Sequence, residues 1–238
     1  MIVNYTAAGW QIITQRAHGL LAAQLCAYWK KDDQPARWVE TLIATAEHDD
    51  VNNELENKDL INENGGPINF KDTDFDQEKC DKQLAMAETK SAYIALLVSR
   101  HTQFLHGAEP RAKEYIADLK KREKIWMKVA GISEEELCRG YELLEFCDAF
   151  SLLICQGLVQ PEQRSIEISN GPDGTPYKMH AEKDKLIVEP WPFEVPSFKV
   201  SYELRTLAQL SFKTSEELRG LLADSMPVLQ EMVIAEKV

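Results

Sequence analysis

The residues of this chain that could do chemistry are a few histidines and acids inside apolar, helix-like segments. Imidazole nitrogens and carboxylate oxygens form a mixed ligand set that suits Mn, Fe, Zn or Mg in hydrolytic or oxidative sites. A cation with three or four protein ligands keeps positions for water and lowers the pKa of that water toward ~7. The sequence therefore predicts a divalent-metal site, whose candidate ligands are His18, His48, Asp49 and Asp148.

Each candidate ligand also has a purely structural interpretation when it is taken alone. Asp148 lies in the apolar run LLEFCDAFSLLIC, where an unpaired carboxylate is costly to bury, but it could lie on a solvated helix edge beside Glu142 and Glu145. His48 and Asp49 come at an expected helix end, where the negative end of the helix dipole favours a histidine. Because side chains at a helix end can turn toward one ion, the four residues together favour a metal site.

Five stretches with apolar residues at spacings of three and four predict the helices that position these side chains. They lie at about 14–30, 36–49, 79–107, 109–130 and 133–158. Ser133 and Glu136 form a capping box that predicts the start of the last helix. Residues 51–78 are dominated by Asn, Asp and Glu and are expected to form a long loop or lid, because loops of this length in compact domains tend to be functional or disordered.

Beyond Pro161 the pattern changes to alternating polar and apolar residues between turn signals, which predicts antiparallel strands. The proline-rich stretch EPWPFEVP indicates sheet edges and bends. The chain is therefore expected to be mainly α, with a helical metal-binding core over residues 1–160 that includes the acidic loop 51–78. An antiparallel β-rich appendage over residues 161–238 is expected to pack on this core. The N-terminal MIVNY is a candidate for an additional strand of the appendage.

Composition restricts the class of partner. The chain has 238 residues and a net charge of −12, which disfavours nucleic-acid polymers and anionic membranes because Lys and Arg bind their phosphates. A small anionic substrate is still allowed, because a bound cation reverses the local field. No apolar run approaches the ~18–20 residues of a membrane helix, no signal peptide is recognisable, and the five cysteines show no CxxC spacing. We therefore expect a cytoplasmic protein with reduced thiols, and no oligomeric state is predicted.

The series His18, His48-Asp49 and Asp148 along a helical stretch resembles the HD-domain superfamily of metal-dependent phosphohydrolases. More narrowly, ITQRAHGLLAAQL followed by LIATAEHDD resembles an uncharacterised bacterial family of unknown function with an HD-like helical core. The resemblance covers about residues 10–158. It implies an HD-like helical bundle in which these four residues bind the metal, with a β-rich C-terminal part that fits the narrower family.

The resemblance also draws attention to residues near the ligands. His101 falls where some HD proteins carry additional histidines, and Arg100 and His101 are the candidate catalytic residues that would contact a substrate anion. His106 is expected to be a helix-end residue. Gln15 and Glu145 each precede a ligand by one helical turn and are expected to orient it through a hydrogen bond.

These patterns support three hypotheses about function. The leading one is a metal-dependent hydrolase, a phosphohydrolase that acts on a small phosphorylated or nucleotide-like substrate. The alternative is a di-iron oxygenase-like enzyme on the same helical frame, with His101 or His106 completing a second iron site. The third is a non-catalytic binding or signalling module, because Val51-Asn52 after the doublet and the lack of a recognisable lysine on the next helix depart from many HD phosphohydrolases.

Overall fold

The computed structural model describes residues 1–159 and 164–237, which contain seven α-helices and seven β-strands. The helices are α1 (Gln15–Ala27), α2 (Trp38–Glu47), α3 (Gln77–Glu88), α4 (Ala92–His106), α5 (Lys113–Ala130), α6 (Glu134–Cys155) and α7 (Ser215–Asp224). The strands are β1 (Ile2–Thr6), β2 (Gly9–Ile13), β3 (Ile166–Asn170), β4 (Pro176–Glu182), β5 (Lys185–Glu189), β6 (Ser197–Leu207) and β7 (Val228–Glu236).

A single sheet joins the two ends of the chain. Its strand order is β1-β2-β6-β7-β5-β4-β3, and among the described strands only β5 and β7 pair in parallel. Strand β6 pairs antiparallel with β2, where Trp10 lies opposite Leu207, and with β7, where Leu204 lies opposite Val228. The N-terminal hairpin β1–β2 is therefore one edge of the sheet.

The prediction of a mainly α fold, with a helical bundle and a C-terminal β-rich appendage, is wrong. The protein has an α+β fold in which a curled, mixed, seven-stranded sheet packs against the helices of the described chain. The physical reason is the distance along the chain between pairing partners. β2 is five residues long and its partner β6 is separated from it by most of the chain, so local periodicity cannot show the pairing.

One apolar core lies between the sheet and helices α1 and α6. Its fully or nearly fully buried residues come from both layers and include Leu25 of α1, Phe146 and Phe150 of α6, Val200 of β6 and Ile234 of β7. Burial of such side chains contributes ~1.5–3 kcal/mol each to the free energy of unfolding. The sheet therefore stabilises the two helices that carry His18 and Asp148.

The predicted division into residues 1–160 and 161–238 remains a prediction. Its boundary falls on residues 160–163, which lie outside the described part of the chain. Within the described part, no helix is both long enough and apolar enough to cross a membrane.

Side-chain caps fix where the ligand-bearing helices begin. Thr14 and Ser91 each accept a hydrogen bond from a first-turn backbone N–H, at the starts of α1 and α4. Ser133 and Glu136 form the expected capping box of α6. Because a capping oxygen satisfies an N–H that has no partner within the helix, it favours one starting residue over its neighbours. The directions of the site side chains on α1, α4 and α6 are therefore set locally, whereas α2 has no such cap.

A long segment joins α2 to α3 and includes a short 3-10 helix at Phe70–Asp72. Gln83 of α3 holds the start of this segment. Its Oε1 accepts from the Val51 N–H at 2.8 Å, and its Nε2 donates to the Glu47 carbonyl oxygen at 2.6 Å. These two hydrogen bonds fix the chain on either side of the His48-Asp49 pair.

Candidate metal centre

Four helices bring five candidate ligand side chains together. His18 comes from α1, His48 and Asp49 from the C-terminal end of α2, His101 from α4 and Asp148 from α6. The three histidines and Asp148 are at most 6% exposed. Ligand atoms of His18, His48 and Asp49 lie within 4.8 Å of one another, as do those of His48, His101 and Asp148. The structure therefore places the four predicted metal ligands in one cluster and adds His101 to it.

Each carboxylate of the cluster faces an imidazole Nε2. His18 Nε2 lies 3.1 Å from Asp49 Oδ2 and 3.8 Å from Asp148 Oδ1. His48 Nε2 lies 3.2 Å from Asp148 Oδ1 and 3.8 Å from Asp49 Oδ2. Two nitrogens and two carboxylate oxygens thus converge, and this donor set suits Mn, Fe and Zn.

The proton of each imidazole is placed by the atom behind the ring. The Ser151 hydroxyl oxygen lies 2.9 Å from the Asp148 carbonyl oxygen and 2.9 Å from Nδ1 of His18. When the hydroxyl donates to the carbonyl, it accepts from the Nδ1–H of His18. The Nδ1–H of His48 donates to the Thr45 carbonyl oxygen at 2.8 Å. A neutral imidazole has only one N–H, so in this tautomer and without an added proton both Nε2 atoms direct a lone pair at a carboxylate.

A lone pair that faces a carboxylate repels it unless a positive charge lies between the two groups. A proton on a ring or a bound cation can supply that charge. Metal-binding histidines typically donate their other N–H to a carbonyl, a carboxylate or a comparable acceptor, as His18 and His48 do. The residues present therefore fit a divalent cation.

The charges around His48 also favour a cation. Burial opposes protonation of His48, but the negative charges of Asp148 and Asp49 outweigh it and raise its pKa to about 9. Burial likewise disfavours the ionised forms of Asp49 and Asp148, yet the neighbouring histidines hold the pKa of both carboxyl groups below the usual range. The cluster thus keeps two ionised carboxylates in a buried position, where a divalent cation would neutralise them.

His101 differs from the other two histidines. Burial lowers its pKa to about 4, so its imidazole is neutral at pH 7. Its Nδ1 is buried and has no hydrogen-bond partner among residues 1–159 and 164–237. The ring lies edge-to-face against that of His48, with centroids 5.0 Å apart. A buried neutral imidazole with an unpaired nitrogen can act as a metal ligand or hydrogen-bond a bound molecule.

Helices α1 and α2 approach each other closely beside the cluster. A Cβ atom at Gly19 would lie 2.7 Å from the Ala46 carbonyl oxygen and 3.9 Å from His48 Cε1. Contacts of Cβ below 3.0 Å require the neighbouring atoms to move. The missing side chain of Gly19, directly after His18, therefore lets the rings of His18 and His48 meet with centroids 4.9 Å apart.

The two residues expected to orient ligands take different positions. Gln15 donates from Nε2 to Asp49 Oδ2 at 2.7 Å, so it orients the carboxylate of Asp49. Glu145 instead accepts a short hydrogen bond from the hydroxyl of Ser169 on β3. Its carboxylate therefore bonds to the sheet.

Arg100 does not join the cluster. Its guanidinium pairs with Glu123 of α5 at 3.2 Å and with Glu134 of α6 at 2.7 Å. The structure therefore does not support the predicted contact between Arg100 and a substrate anion, because this side chain already pairs with two carboxylates. Neighbouring positions of an α-helix differ in direction by ~100°, and His101 takes the direction toward the cluster.

A cavity of about 340 Å³ lies beside the cluster, enclosed by the segment between α2 and α3 and by helices α3 and α4. His106 is the last residue of α4, as expected, and it also lines the cavity, with its Nδ1 2.6 Å from Glu109 Oε1. Acidic side chains outnumber lysines in the wall. Beyond the ligands, its acids are Glu54, Asp59, Asp74, Asp76 and Glu109, and its lysines are Lys71 and Lys79.

Sequence patterns alone do not reveal Thr45 and Ser151, which place the imidazole protons. Each lies three residues from a ligand, Thr45 before His48 and Ser151 after Asp148. Residues three apart lie on the same side of a helix. That spacing is the signal by which Ser151 could be found, whereas Thr45 acts through its backbone carbonyl and its side chain carries no signal.

A comparison with family models places the chain in a family. The model described as "Protein of unknown function (DUF3891)" matches residues 1–209, a stretch that contains all five clustered side chains. No curated protein and no solved structure matches the chain significantly. Because the family model covers well over half of the chain, the protein belongs to the DUF3891 family of proteins of unknown function.

Proposed function

We propose that this protein is a metal-dependent hydrolase that acts on a small phosphorylated or nucleotide-like substrate. One observation carries the proposal: Nε2 of His18 lies 3.1 Å from a carboxylate oxygen of Asp49, and Nε2 of His48 lies 3.2 Å from one of Asp148. A cation that binds all four groups removes their mutual repulsion. The order of these residues along the chain resembles that of HD-domain phosphohydrolases, which supports a hydrolytic reaction.

The four residues would hold the cation, and other residues prepare them for it. A divalent cation supplies Lewis-acid activation of water and of a phosphoryl oxygen. Ser151 and the Thr45 carbonyl keep the two imidazoles in the tautomer that binds metal, and Gln15 orients the Asp49 carboxylate. His101, neutral at pH 7, is the residue of the cluster that can accept or donate a proton at a bound molecule.

The two overlapping groups of three ligands share His48, which favours one ion over two. The Nδ1–H of His48 is engaged by the Thr45 carbonyl oxygen, so only Nε2 can bind a metal. One ion bound by the group with His18 and a second ion bound by the group with His101 would therefore compete for the same nitrogen of His48. The di-iron oxygenase is for this reason the less favoured candidate.

The cavity limits the substrate to a small molecule. Its volume of about 340 Å³ lies at the lower end of the range of roughly 300–1,000 Å³ found for small-molecule sites. Because carboxylates predominate in its wall, a phosphate group would need the cation and nearby lysines to bind. Lys71 and Lys79, which are exposed and line the cavity, replace Arg100 as the candidates for this contact.

Elemental analysis of protein purified without chelator tests the metal site. About one Mn, Fe, Zn or Mg ion per chain is expected, and adding the metal to stripped protein should raise the thermal midpoint of unfolding. Asp49→Asn should lose the metal. Asp50→Asn is the matched control, because Asp50 is the next acid in the chain, partly exposed and 3.9 Å from Arg16. Equal metal contents in both variants, or no bound metal in the native protein, would exclude the site.

A panel of phosphomonoesters, nucleotides and phosphodiesters tests the reaction. We expect turnover that is lost on metal removal, restored on metal addition, absent in Asp49→Asn and retained in Asp50→Asn. Two irons per chain with oxygen-dependent turnover would favour the oxygenase instead. A bound metal with no turnover, and no cellular effect of Asp49→Asn, would indicate a non-catalytic module. We also propose that the protein acts in the cytoplasm, as expected from the sequence.

A further inference from the structure

A second cavity, of about 530 Å³, shares Glu54 with the cavity beside the metal cluster. It is bounded by the start of α1, by strand β6 and by residues 53–55. Several leucines in its wall are open to solvent: Leu20, Leu55 and Leu229 are 61%, 46% and 57% exposed. Apolar side chains that gather around one concave surface are typical of a ligand-binding groove.

Arg205 of β6 lines this cavity and has no anionic partner. Its Nε is buried, and within the described residues its guanidinium makes neither an ion pair nor a hydrogen bond. A buried N–H without a partner is costly, and a guanidinium can bind a carboxylate through two parallel N–H bonds. The other arginine of the wall, Arg16, already donates from Nε and Nη2 to the Asp50 carbonyl oxygen, at 3.0 and 2.6 Å.

The start of α1 adds positive potential to the same cavity. Thr14 and Arg16 line it, and the first turn of α1 contains no acidic side chain. The N-terminal end of a helix carries a partial positive charge. Of the two glutamates in the wall, Glu54 already accepts from the Gln15 N–H at 3.0 Å, while Glu203 is exposed.

We propose that this cavity binds a monocarboxylate that carries an apolar tail. The carboxylate pairs with Arg205 near the start of α1, and the tail covers Leu20, Leu55 and Leu229. The ligand is assigned a single negative charge because of the charged side chains in the wall. One arginine there lacks a partner, and Glu203 on the same strand would repel a second negative charge. This site is distinct from the metal cluster and does not depend on the hydrolase proposal.

Calorimetric titration of the full chain with octanoate tests this site. Octanoate should bind saturably and about tenfold or more tightly than octan-1-ol, which lacks the charge, or acetate, which lacks the tail. Octyl phosphate tests whether the site prefers a carboxylate or a phosphate headgroup on the same apolar tail. It should bind more weakly than octanoate, and tighter binding would overturn the assignment to a monocarboxylate.

Two variants test the contacts. Arg205→Gln should weaken octanoate binding about tenfold or more and leave octan-1-ol binding unchanged. Lys199→Gln is the matched control, because Lys199 is an exposed cation of the same strand that lies 3.9 Å from Glu231. Leu229→Glu introduces a like charge at a half-exposed position and should weaken octanoate binding even if Arg205→Gln does not fold.

The titration is carried out on protein as purified and on chelator-treated protein. Equal octanoate affinities in the two samples are expected. Loss of binding both on chelation and in Asp49→Asn would place the carboxylate at the metal cluster and overturn the proposal. Affinities of Arg205→Gln and Leu229→Glu equal to that of Lys199→Gln would overturn it as well.

Discussion

At the scale of single residues, the proposed metal site depends on hydrogen bonds behind its candidate ligands. Ser151 and the Thr45 carbonyl oxygen hold the Nδ1–H groups of His18 and His48, which keeps Nε2 of both rings available to a cation. Such outer contacts typically change metal affinity ~10–100-fold when they are removed. The ligand residues alone therefore do not specify the site.

Ser151→Ala should weaken metal binding by ~10–100-fold and leave the fold intact, because the His18 ring loses the acceptor that fixes its tautomer. Competition with a chromogenic chelator measures this affinity. Ser99→Ala is a matched control, since Ser99 is equally buried but bonds to Glu123, which is not a ligand. Native affinity in Ser151→Ala would show that this hydroxyl does not set the tautomer.

The stability of metal-free protein should depend on pH with a maximum near ~6.5, the pKa of histidine in an unfolded chain. His48 has its pKa raised to about 9, so its stabilising contribution is complete below ~6.5 and is lost as the pH rises toward 9. His101 has its pKa lowered to about 4, so its protonation opposes folding as the pH falls from ~6.5 toward 4.

Urea unfolding in the presence of a chelator measures both limbs of this profile. His48→Gln should flatten the alkaline limb, and His101→Gln should flatten the acidic one. An alkaline limb of native slope in His48→Gln would show that other groups titrate there. Bound metal should displace the His48 proton and flatten the alkaline limb in the native protein.

Residue types and spacing allowed the clustering of four side chains to be predicted, but not the ion pairs of Arg100. His18, His48, Asp49 and Asp148 form one cluster in the structure, as the joint pattern indicates. Arg100 precedes His101 inside a regular helix, where adjacent side chains differ in direction by ~100° and only one of the two points to the site. His48 and Asp49 both reach the site because they lie at a helix end. Whether Arg100 or His101 points to the site depends on Glu123 and Glu134, because both carboxylates pair with the arginine. Their helices meet α4 only in the folded chain.

At the scale of elements, the contact between α1 and α2 decides whether the ligands meet. Gly19→Ala should lower the free energy of unfolding by ~1–3 kcal/mol, because the added methyl group meets the Ala46 carbonyl oxygen. It should also weaken metal binding, since α2 must move and carries His48 with it. Urea unfolding and chelator competition measure the two effects.

Gly220→Ala is the control for this substitution. Gly220 is also a helical glycine, in α7, and a Cβ there meets nothing within 4 Å. Alanine is preferred over glycine in a helix by ~0.5–1 kcal/mol, so this variant should be neutral or slightly more stable. Native metal affinity in Gly19→Ala would show that the helices adjust without moving the ligands.

Helices were more predictable than strands for a physical reason. A helix is specified by periodicity and capping residues within its own sequence, as Ser133 and Glu136 show for α6. A strand is completed by its partner, and β2 finds that partner in β6, far along the chain. The parallel pairing of β5 with β7 is also invisible locally, because β6 and α7 lie between them in sequence.

At the scale of the whole molecule, the sheet shares one core with α1 and α6, two of the helices that bear the site. Phe146 of α6 packs with Tyr177 of β4, with ring centroids 4.9 Å apart, and Tyr28 stacks on Phe198 of β6 at 4.0 Å. Removal of the C-terminal strands would expose the apolar sides of α1 and α6 and leave the β1–β2 hairpin without its partner β6. The stability of the metal cluster therefore depends on strands that contain none of its ligands.

A fragment of residues 1–160 should fail to unfold cooperatively and should lack the metal, because it loses the sheet half of this core. Circular dichroism during urea unfolding and elemental analysis test this. Co-expression with residues 161–238 is the control and should restore both properties. Cooperative unfolding of residues 1–160 alone, with bound metal, would instead support two independently folding domains.

The close approach at Gly19 has a consequence for protein design. Grafting the five clustered side chains onto another set of four helices would not reproduce the cluster if the helices that carry the first two histidines stood at an ordinary interhelical distance of roughly 8–10 Å, set by larger side chains. The graft would also need a residue without a side chain next to the first histidine, facing a backbone carbonyl of the second helix. A search for related sites in other sequences should therefore include a glycine directly after the first histidine in its pattern.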